Sequence, residues 1–89
     1  MDKNENEQNK ELEDSLVRAV ADAAVDFMES EERFYRSRCL YECARDPRAP
    51  SPFALRAALS AASSRAGAEN DEATSRLFVA VKALKDHHK

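Results

Sequence analysis

The chain has 89 residues, a formal net charge of −3 and a 43% hydrophobic fraction, much of it alanine. That length allows a single domain at most. It holds no apolar run near the roughly 18 residues a membrane helix requires, and its polar, acidic first residues do not read as a secretory signal. Charge is unevenly spread: residues 1–14 carry six acids and two lysines, whereas residues 33–65 carry seven arginines against Glu42 and Asp46 and no lysine.

Residues 1–9 contain almost no apolar side chain, so nothing offsets their ordering entropy. They are expected to form a disordered acidic tail, one that solubilises the chain or folds back over the basic middle. From Lys10 to Asp46 there is neither proline nor glycine, and the spacing predicts one long helix. Leu16, Val20, Ala23, Phe27, Phe34 and Tyr41 form a narrow stripe, flanked by Val17, Ala21, Ala24, Met28 and Tyr35. Acids in the first turns suit the helix dipole. Glu29 with Arg33 and Glu32 with Arg36 are Glu-before-Arg pairs one turn apart. Ser30 and Ser37 interrupt the stripe, and Ser30-Glu31-Glu32 also reads as a helix restart, which leaves a break near Ser30 open.

Pro47, Pro50 and Pro52 end the first helix, because each proline drives the preceding residue out of helical geometry. Ser51 reads as the N-cap of a second helix with Pro52 in its first position. That helix is expected over 52–66, with Leu55, Ala58, Leu59 and Ala62 on its buried face. Gly67, the only glycine, is placed to end it. Asn70 is placed to cap a third helix over 71–86, with Ala73, Leu77, Ala80, Val81 and Leu84 inward. A continuous helix through Gly67 remains the alternative, at a cost of about 1 kcal/mol. The expected fold is all-α: one long helix against a two-helix hairpin, residues 10–89 making a single domain. Leu16, Val20, Phe27, Met28, Leu55, Leu59, Leu77, Val81 and Leu84 are its expected core and oligomer contacts.

For function, the chain is poor in catalytic material. Its histidines, His87 and His88, lie in the tail, there is no glycine-rich phosphate loop, and Ser60, Ser63 and Ser64 have no base nearby. No enzyme activity, cofactor or metal is expected. Cys39 and Cys43, one turn apart, lack the further ligands a metal site needs and are expected as buried or half-buried free thiols. The strongest candidate is an arginine and aromatic cluster: Arg33, Phe34, Arg36, Arg38, Tyr41, Arg45, Arg48 and Arg56. Arginine and tyrosine concentrate in protein interfaces, and arginine forks also hold phosphates. Arg38 and Arg45 fall near the apolar stripe, where Glu31 and Glu42 could pair with Arg38.

The leading expectation is a cytoplasmic adaptor, inhibitor or regulatory subunit that binds a larger protein through this cluster, with no membrane involvement. A helical dimer binding nucleic acid with the same arginines, and a structural oligomer built on Leu16, Val20 and Phe27, are the alternatives. A thin core in so short a chain favours a homo-oligomer or a subunit.

Overall fold

Two helices account for nearly all of the structure. The computed structural model describes residues 3–49 and 51–88: α1 spans Lys3–Ala44 and α2 spans Phe53–His87, packed side by side as an antiparallel hairpin. No strand occurs among the described residues. The hairpin is a rod of 71 × 16 × 14 Å with a radius of gyration of 20.4 Å, against about 12 Å for a compact domain of this length.

The first helix runs unbroken through Ser30. It also begins earlier than expected: the segment anticipated as a disordered tail is helical from Lys3, while Met1 and Asp2 lie outside the described residues. Nothing in residues 3–9 breaks a helix, and a turn once nucleated propagates at little cost per residue. The helix stops where Asp46-Pro47 forbids continuation. There the Asp46 carboxylate accepts the Arg48 N–H at 2.9 Å and its carbonyl accepts the Ala49 N–H at 3.2 Å. The second helix starts one residue later than the Ser51 cap implied. Pro52 occupies the N-cap without a side-chain hydrogen bond, and its carbonyl accepts the Arg56 N–H at 3.1 Å.

The largest correction concerns Gly67 and Asn70. They do not separate two helices; both lie inside α2. Gly67 keeps a negative φ and serves instead as a flat site for a ring from α1. A Cβ built on it would lie 3.3 Å from Phe34 Cε1 and 3.6 Å from Cζ. Asn70 faces α1 and its Nδ2 donates to Ser30 Oγ at 3.1 Å, while Ser30 Oγ donates to the Phe27 carbonyl at 2.9 Å. Ser30 is thus 2% exposed with its hydroxyl satisfied, so its burial carries no unpaired polar cost. Ser37 back-bonds in the same way to the Phe34 carbonyl at 2.9 Å.

The seam has a strict seven-residue rhythm. In α1 Glu13, Leu16, Val20, Ala23, Phe27, Ser30, Phe34, Ser37, Tyr41 and Ala44 are covered, at alternating steps of three and four, with Ala24 half-buried beside them. In α2 Leu59, Ser63, Ala66, Asn70, Ala73, Leu77, Ala80, Leu84 and His87 are covered, with Ser60, Ala62 and Gly67 half-buried beside them. The two covered series are the a and d sites of a heptad abcdefg, which defines coiled-coil packing. Large side chains meet small ones. By the register that Glu13–His88, Ser30–Asn70 and Phe34–Gly67 set, the rings of α1 lie along a stretch of α2 built from Ser63, Ala66, Gly67, Asn70 and Ala73, and Leu77 and Leu84 of α2 lie along Leu16, Val20 and Ala23. The Ser30–Asn70 bond is a polar contact across the seam, a device that specifies register.

Leu16, Val20, Phe27, Leu59, Leu77 and Leu84 therefore sit in the seam as expected. Met28, Leu55 and Val81 do not: they are exposed, because the heptad puts them at b, g and e. Among the described residues the buried apolar side chains are all alanines, Ala44, Ala66 and Ala73.

Gly67→Ala is expected to raise the melting temperature by several degrees. An alanine is favoured over an interior helical glycine by about 1 kcal/mol, worth roughly 4–8 °C in a domain of this size. The half-buried Phe34 ring borders an open groove, into which it can shift by the few tenths of an ångström the new methyl demands. A lower melting temperature by circular dichroism would show instead that the ring is held in place.

Candidate protein-binding surface

The heptad divides the outer surface of the hairpin into two sides. On one, positions c and g of both helices form a groove lined by Asp26, Glu29 and Arg33 of α1 with Glu69, Glu72 and Arg76 of α2. It is almost entirely ionic, and Arg33 Nε reaches Glu69 Oε2 at 3.9 Å. On the other, the seam rings Phe34 and Tyr41 border a groove with Arg38, Ser64, Gly67 and Asp71, which occupy b and e positions.

This second side carries six of the eleven large exposed apolar residues among the described residues, whereas Leu12 and Val25 are exposed elsewhere on α1. Val17, Met28 and Tyr35 project from α1, and Phe53, Phe78 and Val81 from α2, at b or e sites. Met28 and Phe78 are each 69% exposed and Tyr35 70%, more than an isolated helical hairpin needs to leave in water. A groove lined by Met28, Glu31, Phe34, Tyr35 and Arg38 runs along it, and a second lies between Phe78, Val81, Lys82 and Lys85. On the ionic side the exposed Leu40, Leu55 and Val79 stand singly among charges, as surface apolar residues commonly do.

The arginine cluster does not form one face. At about 100° per residue, Arg33 and Arg38 point about 140° apart around α1. Arg33 belongs to the ionic groove, and Arg36 is held by Glu32 at 2.6 Å on the solvent side. Arg38 and Arg45 share the apolar side. The guanidinium of Arg45 lies 5.5 Å from the Tyr41 ring centroid and 3.8 Å from Glu42. Arg48 is in the connector, and Arg56 is exposed in the first turns of α2. Phe34 and Tyr41 are half-buried seam residues rather than free contacts. Two anticipated ion pairs are absent: Arg33 reaches across to Glu69 rather than back to Glu29, and Arg38 makes no ion pair among the described residues. Cys39 and Cys43 are free, as expected, but exposed rather than buried, because f and c sites face water.

Tyr35 and Val17 were visible in the sequence as a flanking stripe with the same seven-residue period. Phe78 was not: it sits one residue after Leu77 and reads as incidental until the seam is known. No helix among the described residues is long and apolar enough to cross a membrane. No family model matches the chain, and no curated protein or solved structure is significantly similar to it.

Proposed function

We propose that this chain is a non-enzymatic binding module, a small adaptor, inhibitor or regulatory subunit. It acts by laying the apolar side of its hairpin against a helical protein surface. The observation that carries this reading is the inverted distribution of apolar bulk: small and polar side chains fill much of the seam while Met28, Tyr35 and Phe78 stand in solvent on one side. Contiguous apolar exposure rimmed by charge marks interaction surfaces, and a helix presenting anchors one and two turns apart fits a groove between helices. Arg38, free of an ion pair among the described residues beside Tyr35 and Met28, supplies a polar anchor of the kind interfaces favour. Nucleic acid is the weaker reading, since the arginines are dispersed around the rod and several are paired with glutamates, which leaves phosphates no continuous basic track.

A photo-cross-linking residue in place of Tyr35 is expected to give a discrete protein adduct in the native host. The same probe in place of Asp22, away from that side, is expected to give none. Adding Met28→Asp should weaken the adduct about tenfold, the loss of one well-placed anchor. No adduct from position 35, or equal adducts from both positions, overturns the reading.

A further inference from the structure

We infer that the partner on the apolar side is a second copy of the same chain, with the two long helices lying antiparallel across a two-fold axis between Ala24 and Met28 to complete a four-helix bundle. This rests on the reading above that this side binds protein, and it names the occupant.

The first ground is surface area. The hairpin exposes 7129 Å² for 10.0 kDa, whereas a compact monomer of that mass exposes about 5,200 Å². A second copy laid on one side hides roughly two-fifths of each chain's surplus from water. A contact spanning residues 14–38 of α1 is roughly 38 Å long, and two helices side by side are roughly 20 Å wide. Each copy then covers roughly 750 Å², and the pair about 1,500 Å², within the range of stable specific interfaces. Among the described residues the hairpin alone buries no apolar side chain larger than alanine, so the second copy would supply the core that the first lacks.

The second ground is charge. Turning one copy of α1 end over end about that axis sets each b site of one chain opposite an e site of the other. Val17 then meets Tyr35, and Ala24 meets Met28. Beyond them Asp14 meets Arg38, Lys10 meets Glu42, and Glu7 meets Arg45. All three outer pairs are of opposite sign, and each occurs twice by symmetry. Glu31 is opposite Ala21, with Arg18 of the other copy one turn away. Two-fold self-complementarity of one patch is the property an isologous interface requires. Asp14 and Arg38 make no ion pair within the hairpin among the described residues.

The third ground is length. Near the open end of the hairpin Glu13 Oε1 meets His88 Nε2 at 3.1 Å. Residues 5–12 of α1 lie beyond that pair, are exposed, and make no ion pair with α2 among the described residues. In the antiparallel pair, that segment lies along the arginine-bearing end of the other copy, and Glu7 and Lys10 acquire their partners.

Sedimentation equilibrium of the full chain decides the point. At about 100 µM, where a micromolar dimer is almost fully formed, the mass is expected to be twice 10.0 kDa. Asp14→Arg alone and Arg38→Asp alone should each weaken the dimer about tenfold, since each turns two attractive pairs repulsive. The two together should restore it. The positions are about 36 Å apart on one helix, so the rescue can only pass between chains. Both sites are exposed, and circular dichroism checks that helicity is kept. A monomer mass overturns the inference, and a dimer without rescue overturns the antiparallel arrangement. A monomer whose position-35 probe still captures a different protein sinks this inference alone; a monomer with no adduct sinks the binding reading as well.

Discussion

Ala73→Asp is expected to abolish the folded hairpin at neutral pH. Ala73 is 1% exposed, the most covered apolar residue among the described residues, and it faces α1 beside Ser30. A carboxylate there loses its water. It also enters a groove whose rim already holds Asp26, Glu29, Glu69 and Glu72 against only Arg33 and Arg76. Burying a charge without a dedicated partner costs several kcal/mol. A domain of this size has roughly 4–13 kcal/mol in all, and a seam built on alanine lies at the low end. Loss of helicity by circular dichroism at 25 °C is the expected readout. Ala73→Ser, which adds one atom whose hydroxyl can back-bond within the helix, should stay folded with a loss of about 1 kcal/mol. If the aspartate variant melts like the parent, the seam does not close around Ala73.

Phe34→Ala is the second large effect, expected to cost about 2 kcal/mol. Full burial of a phenylalanine is worth more, but this ring is half-buried and gives only part of that. A Cβ built on Gly67 would lie 3.3–3.8 Å from three of its ring carbons, so the ring packs directly on the glycine. The loss should therefore depend on what stands at 67. In the Phe34→Ala background, Gly67→Leu should recover a large part of the stability, whereas in the parent it should destabilise by about 1–3 kcal/mol through overpacking. A double-mutant cycle by urea denaturation at fixed protein concentration measures the coupling. Additive effects would mean that ring and glycine do not touch.

Those two residues also show what could be read from the chain. The helical character of residues 10–44 was legible, because the absence of glycine and proline and the apolar period act locally. So was the elbow, where three prolines leave the backbone no helical option. The stripe Leu16, Val20, Phe27, Phe34 and Tyr41 was legible as the buried face. Ser30 and Asn70 were not. A serine before two glutamates and an asparagine before an aspartate each carry the local chemistry of a helix start, and both instead bond to each other across the seam.

The candidate surface divides along the same line. The arginines and tyrosines were evident as residue types, but their directions around the rod depend on which face of α1 the second helix takes. Once α2 covers the a and d sites, Arg33 and Arg38 are committed to different sides.

From the sequence alone came the all-helical class, the sharp turn after Asp46 and most of the inward residues of α1, all consequences of backbone preference and period within one segment. Tertiary structure alone decided that Gly67 lies within a helix, that three serines and an asparagine belong to the seam, and that Met28 and Phe78 face outward on a common side. The physical reason is that a glycine or a small polar residue is nearly neutral between capping and packing in isolation. The balance is tipped by a partner some thirty or forty positions away, Phe34 for Gly67 and Ser30 for Asn70.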